Sequence, residues 1–345
     1  MRLRRKVLVV LALTLVASLG SGVSAQGRRT TTAAHGTQRF LWGAWIGKQF
    51  TGAQAPWSWR AVTKFEERNG GGKHLSVVHW AVGVPWMHQF GYWTNLLNRV
   101  HDAGALSLVD VDTGAASLRS IASGAHNAAL RRWARGAKRW DHPLLLRFDW
   151  EMNGRWFPWG TTPSNQNTPA DFVAAWRHVH RIFTAVGATN VRWVWCPNID
   201  PYGIWTNLAS LYPGRAYVDW TCLDGYNRNA PWTSFTGLYA STYRQIMGLS
   251  GNKPMIIGEV SSTGHGGSKP RWIQSMFAAI RTQLTHIHGI VWWDAYGQPP
   301  PLDWPIETSR SSSTAFSRGI GRTLARTCRR LTGLARDRCV GRATP

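Results

Sequence analysis

Eight short apolar runs, each about a strand long, recur along this chain: Phe40–Ile46, Leu75–Ala81, Ala105–Val111, Pro143–Trp150, Val191–Cys196, Tyr217–Leu223, Pro254–Val260 and Ile287–Trp293. They are rich in β-branched, Leu and aromatic residues, as buried strands are. Helix-like stretches separate most of them, at Gly91–Ala103, His126–Trp140, Ala170–Val186, Thr236–Leu249 and Lys269–Leu284. Strand–helix alternation predicts a parallel sheet covered by helices. Eight units within 39–308 predict an α/β fold, a single-domain (β/α)8 TIM barrel. The competing arrangement is a doubly wound open sheet. That fold carries a Gly-rich phosphate turn after its first strand, and Gly43-Ala44-Trp45-Ile46-Gly47 is not one.

The ends of the chain read differently from its middle. Met1–Lys6 is positive, Val7–Leu19 is apolar, and Val23-Ser24-Ala25 matches a small-x-small cleavage site. Residues 1–25 are therefore expected to be a signal peptide, followed by a polar segment, 26–38. No other stretch reaches the ~18 apolar residues of a membrane span, so the expectation is a secreted, extracellular monomer. The formal charge of +23 sits mostly at the ends, with six basic residues in 1–30 and nine Arg in 310–345. No basic stripe interleaved with stacking aromatics runs through the middle, which argues against nucleic acid as a partner. Ser309–Ser313 reads as a linker, and the rest of 309–345 as an Arg-rich tail.

Four cysteines are too few for a disulfide-built scaffold, but export permits disulfides. Cys328 and Cys339 are close enough in sequence to close a short loop in the tail. Cys196 and Cys222 end consecutive strands, where they either pair or remain buried thiols. No CxxC and no HExxH occurs, so a metal site is not expected.

In such a barrel the chemistry lies at the C-terminal strand ends. Those ends carry Trp45, His79-Trp80, Asp110, Asp112, Arg147 to Glu151, Trp195 with Asn198, Asp224, Tyr226, Glu259 and Trp292-Trp293-Asp294. A rim of carboxylates and tryptophans suits an uncharged, flat-faced, polyhydroxylated ligand, that is, a polysaccharide. Of the five glutamates, only Glu151 and Glu259 directly follow apolar strands; Glu66 and Glu67 read as solvated surface and Glu307 as part of a polar stretch. A carboxylate at a strand end is costly unless paired or used. Cleaving a glycosidic bond needs two carboxyls, one neutral and one ionised, which places Glu151 and Glu259 as candidate catalytic residues. Salt bridges to Arg147 are the plainer alternative.

The segment Arg147-Phe148-Asp149-Trp150-Glu151-Met152-Asn153-Gly154-Arg155-Trp156-Phe157-Pro158-Trp159 resembles the strand-four segment of glycoside hydrolase family 26, the β-mannanase family. Val194 to Asn198, Tyr212-Pro213-Gly214, Val218-Asp219-Trp220, Asp224 to Asn227, Gly258-Glu259-Val260 and Val291-Trp292-Trp293 follow in the family's order. The resemblance implies a retaining glycosidase without cofactor, with Glu151 as general acid/base and Glu259 as nucleophile. It implies that Tyr226 hydrogen-bonds Glu259 and that Trp156 and Trp292 stack on sugar faces. Asn153 and Arg147 would support strand four, and His79 joins the expected substrate-binding set at the rim. One departure stands out: the family usually carries His immediately before the acid/base, and this chain has Trp150. That bears on mannan specificity more than on the reaction. β-Glucan and β-1,3-xylan are the alternative substrates, and a non-catalytic sugar-binding barrel is the alternative class.

Overall fold

A computed structural model describes residues 40–331 apart from 86, 201–206, 229, 252 and 297–301, and the side chains of 325–331. The expected signal peptide, the polar segment and the Cys328–Cys339 pairing lie outside the described residues.

Eight parallel strands close in sequence order into a barrel: β1 Leu41–Ile46, β2 Val77–Gly83, β3 Leu106–Val111, β4 Leu144–Phe148, β5 Val191–Trp195, β6 Trp220–Asn227, β7 Met255–Ser262 and β8 Ile287–Asp294. The seam is closed by β1 against β8, from Leu41 opposite Gly289 to Ile46 opposite Asp294. The helices are α1 Trp59–Phe65, α2 Phe90–Asp102, α3 Leu118–Ser123, α4 Asn127–Trp140, α5 Pro169–Val186, α6 Leu208–Leu211, α7 Phe235–Ser250, α8 Lys269–Thr282 and α9 Arg310–Leu331. No helix among the described residues is long and apolar enough to cross a membrane.

Successive side chains on a strand point to opposite faces, which divides the core in two. Val77, Leu108, Leu145, Val194, Ile256 and Val291 fill the barrel interior. Their neighbours, such as Val78, Val109, Leu144, Leu146, Ile257 and Ile290, face outward and pack under the helices. The chain marks its helix starts locally. Thr168 and Asp171 cap α5 reciprocally, with Pro169 in the first turn.

The serine run is not a linker. Ser309 accepts from the Ser312 amide at 3.1 Å, a cap at the start of α9, and Ser313 donates to Asn69 Oδ1 at 2.8 Å. The helix then buries Ala315, Phe316 and Ile320 against the barrel wall. Serine is a helix-starting residue as much as a linker residue, and composition alone does not separate the two. Glu66 is also not simply solvated: it accepts from the Leu75 amide at 2.7 Å and pairs with His74 at 2.9 Å.

Candidate active site

The inward-facing rows of the strands converge at the C-terminal end of the barrel on a cavity of about 800 Å³. Its lining includes Glu151, Glu259, Tyr226, Asn198, Trp45, Trp150, Trp156, Trp293 and Trp304.

Glu151 lies just beyond β4 on a backbone turned into the left-handed region, with φ of 43° at Asp149 and 51° at Glu151. Such values are uncommon for residues with a Cβ and persist only where surroundings hold them. Here the Asp149 amide donates to Val111 O (3.0 Å) and the Glu151 amide to Cys196 O (2.7 Å), tying the kink to β3 and to the end of β5. The Glu151 carboxylate accepts from Asn198 Nδ2 and from Trp156 Nε1, both at 2.5 Å. Asn198 is itself clamped, its amide donating to Asn153 Oδ1 (2.8 Å) and its carbonyl accepting from Asn153 Nδ2 (2.9 Å). Burial, followed by repulsion from Glu259, pushes the Glu151 carboxyl up to about 7. That keeps it largely protonated between 4.5 and about 7, where an ordinary glutamate is ionised.

Glu259 reaches the same cavity through a bulge in β7. Leu223 pairs with Ile257, yet Asp224 pairs with Glu259, so Gly258 is the extra residue. A bulge re-aims the side chains that follow it. Ile257 and Val260 therefore pack outward while Glu259 points in. Its carboxylate accepts from Arg147 Nη2 at 2.5 Å and from the Tyr226 hydroxyl. Burial and the neighbouring anions hold the Tyr226 phenol well above its ordinary range, so it stays a donor. One carboxyl oxygen each from Glu151, Asp224 and Glu259 lie within 4.8 Å of one another.

Arg147, fully buried, organises the acids below. It donates to Asp110 through Nε (2.6 Å) and Nη2 (2.8 Å), and to Asp224 through Nη1 (2.5 Å). Burial opposes its charge, but Asp110, Asp224 and Glu259 together hold it well above its ordinary value. Burial likewise raises Asp110, yet attraction to Arg147 and His79 leaves its carboxyl lower than usual. Burial pushes Asp224 well up. His79, Asp110 and Glu259 also present atoms within 4.8 Å, as a cation site would. The guanidinium of Arg147 occupies that electrostatic role. Cys196 and Cys222, opposite each other on neighbouring strands, form a disulfide beneath the site.

The expected substrate contacts separate into two layers. Trp156, Tyr226 and Trp150 line the cavity, and Arg147 lies 5.2 Å from the Trp150 ring centroid. Arg147, Asn153 and His79 do not reach it as substrate contacts: all three are fully buried. Arg147 and Asn153 hold Glu259 and Asn198, whereas His79 pairs with Asp110 at 2.8 Å under Trp45. Strand β2 continues four residues past His79, which puts that residue below the rim. Trp292 is also corrected. It faces outward, fully buried against Trp272 and Phe316, and its Nε1 donates to Trp304 O at 2.9 Å. Its neighbour Trp293 faces the cavity, stacked on Trp45 at 4.8 Å. Trp304 was not anticipated. It lies in the segment after β8, where no strand or helix periodicity marks it, and packs on Tyr226 with centroids 5.3 Å apart.

Fold and site together define a (β/α)8 barrel carrying paired glutamates from its fourth and seventh strands in an aromatic cleft. The chain belongs to glycosyl hydrolase family 26, whose family model matches residues 43–271. It is 32% identical over 286 residues to Endoglucanase H of Acetivibrio thermocellus, covering 81% of this chain and 30% of that protein. It is 30% identical over 161 residues to a mannan endo-1,4-β-mannosidase of Bacillus subtilis, covering 45% of this chain and 40% of that one. The chain thus matches well under half the length of either relative. Among solved structures, the catalytic domain of a Bacillus sp. JAMB-750 endo-β-1,4-mannanase shares the fold. Its TM-score is 0.59 at 17% identity, over 84% of this chain and 87% of that one.

Proposed function

We propose that this protein is a retaining endo-β-glycanase that hydrolyses β-1,4-linked mannan-type polysaccharide, exported by way of a leader at 1–25. The observation that carries the reading is the contrast between two carboxyls on one cavity. Glu151 is buried and raised to about 7, whereas Glu259 is bonded to a guanidinium and a phenol. A carboxyl separation of ~5–5.5 Å belongs to double displacement, and the packing of Glu151 and Glu259 is in keeping with it.

In this mechanism Glu259 attacks the anomeric carbon while Glu151 gives its proton to the departing glycosidic oxygen. The product of that step is a glycosyl ester on Glu259. Glu151, now ionised, takes a proton from water, and the hydroxide formed in flight displaces Glu259. The Arg147 and Tyr226 hydrogen bonds favour the carboxylate of Glu259 both before attack and on departure. Trp45, Trp150, Trp156 and Trp293 provide flat apolar faces for pyranose rings.

β-Glucan is a second reading, favoured by Trp150 at the position where the family usually carries His. The relative named an endoglucanase also covers more of this chain than the mannanase does. The test is a panel of mannan, glucomannan, mixed-linkage β-glucan and β-1,3-xylan, with Glu151→Ala and Glu259→Ala beside the wild type. Release of reducing ends from mannan, lost in both variants, supports the proposal. Release from β-glucan alone supports the second reading. Binding to every polymer without hydrolysis makes the protein a sugar-binding barrel.

A further inference from the structure

A groove of about 250 Å³ runs between α8 and α9 on the outer wall of the barrel. Gln274, Phe277 and Arg281 line it from α8, and Ala315, Arg318, Gly319 and Arg322 from α9. At ~30 Å³ per water it holds about eight waters, room for one monosaccharide unit. Helix α8 runs back from the cleft end of the barrel, so Arg281, near its C-terminus, lies toward the opposite end. The groove is therefore not part of the cleft.

Its depth is built in by small residues. A Cβ on Gly319 would collide with the Phe277 ring, so glycine there lets the helices approach, and Ala315 leaves the floor open. The walls are cationic. Arg318 and Arg322 sit one turn apart on α9, and Arg281 comes from the facing helix, braced by its bond from Nη1 to Thr323 Oγ1 (3.3 Å). Like charges at this spacing repel, and among the described residues no Asp or Glu lines the groove beside Arg318 and Arg322. The exposed guanidinium forks of Arg318 and Arg322 on one small cavity are a receptor for an oxyanion, because each fork matches a carboxylate with two parallel N–H donors.

We propose that this groove binds the carboxylates of an acidic, uronate-bearing polysaccharide, holding the enzyme on a matrix in which its neutral substrate is embedded. The choice of a polysaccharide rests on the proposed function; the groove's preference for an anion does not. Six further Arg follow Arg322 in the sequence, against one acid, and extend the same polarity beyond the groove.

The test is retention of the full chain on polygalacturonate in affinity electrophoresis at several salt concentrations, scored by binding and not by hydrolysis. The double variant Arg318→Gln/Arg322→Gln is compared with Arg131→Gln/Arg135→Gln, which removes the same charge from exposed positions on α4. The expected result is a loss of about fivefold or more in affinity for the groove variant and little for the control, since charge-assisted bidentate bonds exceed diffuse surface attraction. Activity on neutral polymer stays unchanged in both, so failure here is separable from failure of the enzymatic reading. Equal weakening in both variants, no retention of the wild type, or tighter binding of polyphosphate than of polygalacturonate would overturn the proposal.

Discussion

Arg147 lies so close to Gly258 that a Cβ on the glycine would stand 2.8 Å from its Nη1, and 2.7 Å from Asp224 Oδ1. The residue that makes the bulge is thus also the residue against which the buried ion cluster packs. Gly258→Ala must either push Arg147 away or straighten β7, and both move Glu259. The expected outcome is a destabilisation of about 1–3 kcal/mol, the usual cost of overpacking. A fall in kcat far larger than in an exposed control such as Gly248→Ala should accompany it. Thermal melts and steady-state kinetics check this.

Asn198 favours the ionised form of Glu151 by donating to it. Its removal should raise the Glu151 carboxyl above about 7 and move the alkaline limb of kcat/KM to higher pH. Asn198→Ala should therefore shift the profile upward, and its kcat should fall at every pH because the carboxyl loses the bond that positions it. Asn153→Ala should do the same more weakly, because it acts only by holding Asn198. A pH–rate series on the three proteins reads it. An unshifted alkaline limb in Asn198→Ala contradicts the assignment.

Stability should carry the mark of the same raised carboxyl. A group raised in the folded state stabilises most below its unfolded value, and that contribution is lost as pH rises through the folded value. For Glu151 the window runs from 4.5 to about 7. Glu151→Gln, which cannot ionise, should gain stability relative to the wild type across that interval and hold the gain above it. Paired denaturant titrations from pH 4 to 8 test the sign.

Adjacent tryptophans on β8 should fail in different ways. Trp292→Ala removes a buried side chain and should cost about 3–5 kcal/mol of stability. Trp293→Ala removes a cleft face stacked on Trp45 and should weaken polysaccharide binding with a smaller effect on melting. Chemical denaturation and affinity electrophoresis on inactive backgrounds separate the two.

That pair also shows what the sequence holds and what it hides. The eight strands were legible because burial on both faces makes each a continuous apolar run. The two glutamates were legible because a charge directly after such a run needs a use. Which of Trp292 and Trp293 faces the cleft depends on register, and a one-residue slip reverses every side chain. In β7 the bulge at Gly258 changes that register without leaving a distinctive pattern. His79 was misplaced because it lies within β2, which runs on past Ala81 through Val82 to Gly83. Trp304 enters the site through a long-range contact with Tyr226, and no local pattern announces such a contact. The helix α1 lies in a charged, turn-rich stretch, and its short apolar face, Ala61, Val62 and Phe65, is too brief to read as a period.

In the proposed mechanism Glu259 attacks and Glu151 gives and then takes the proton. Proton NMR of the reducing ends, recorded in the first minutes of hydrolysis of a β-linked oligosaccharide, tests it most directly. Double displacement through Glu259 predicts that the β-anomer appears first and then mutarotates. Initial release of the α-anomer would mean a single displacement by water, and would contradict the assignment of Glu259 as nucleophile.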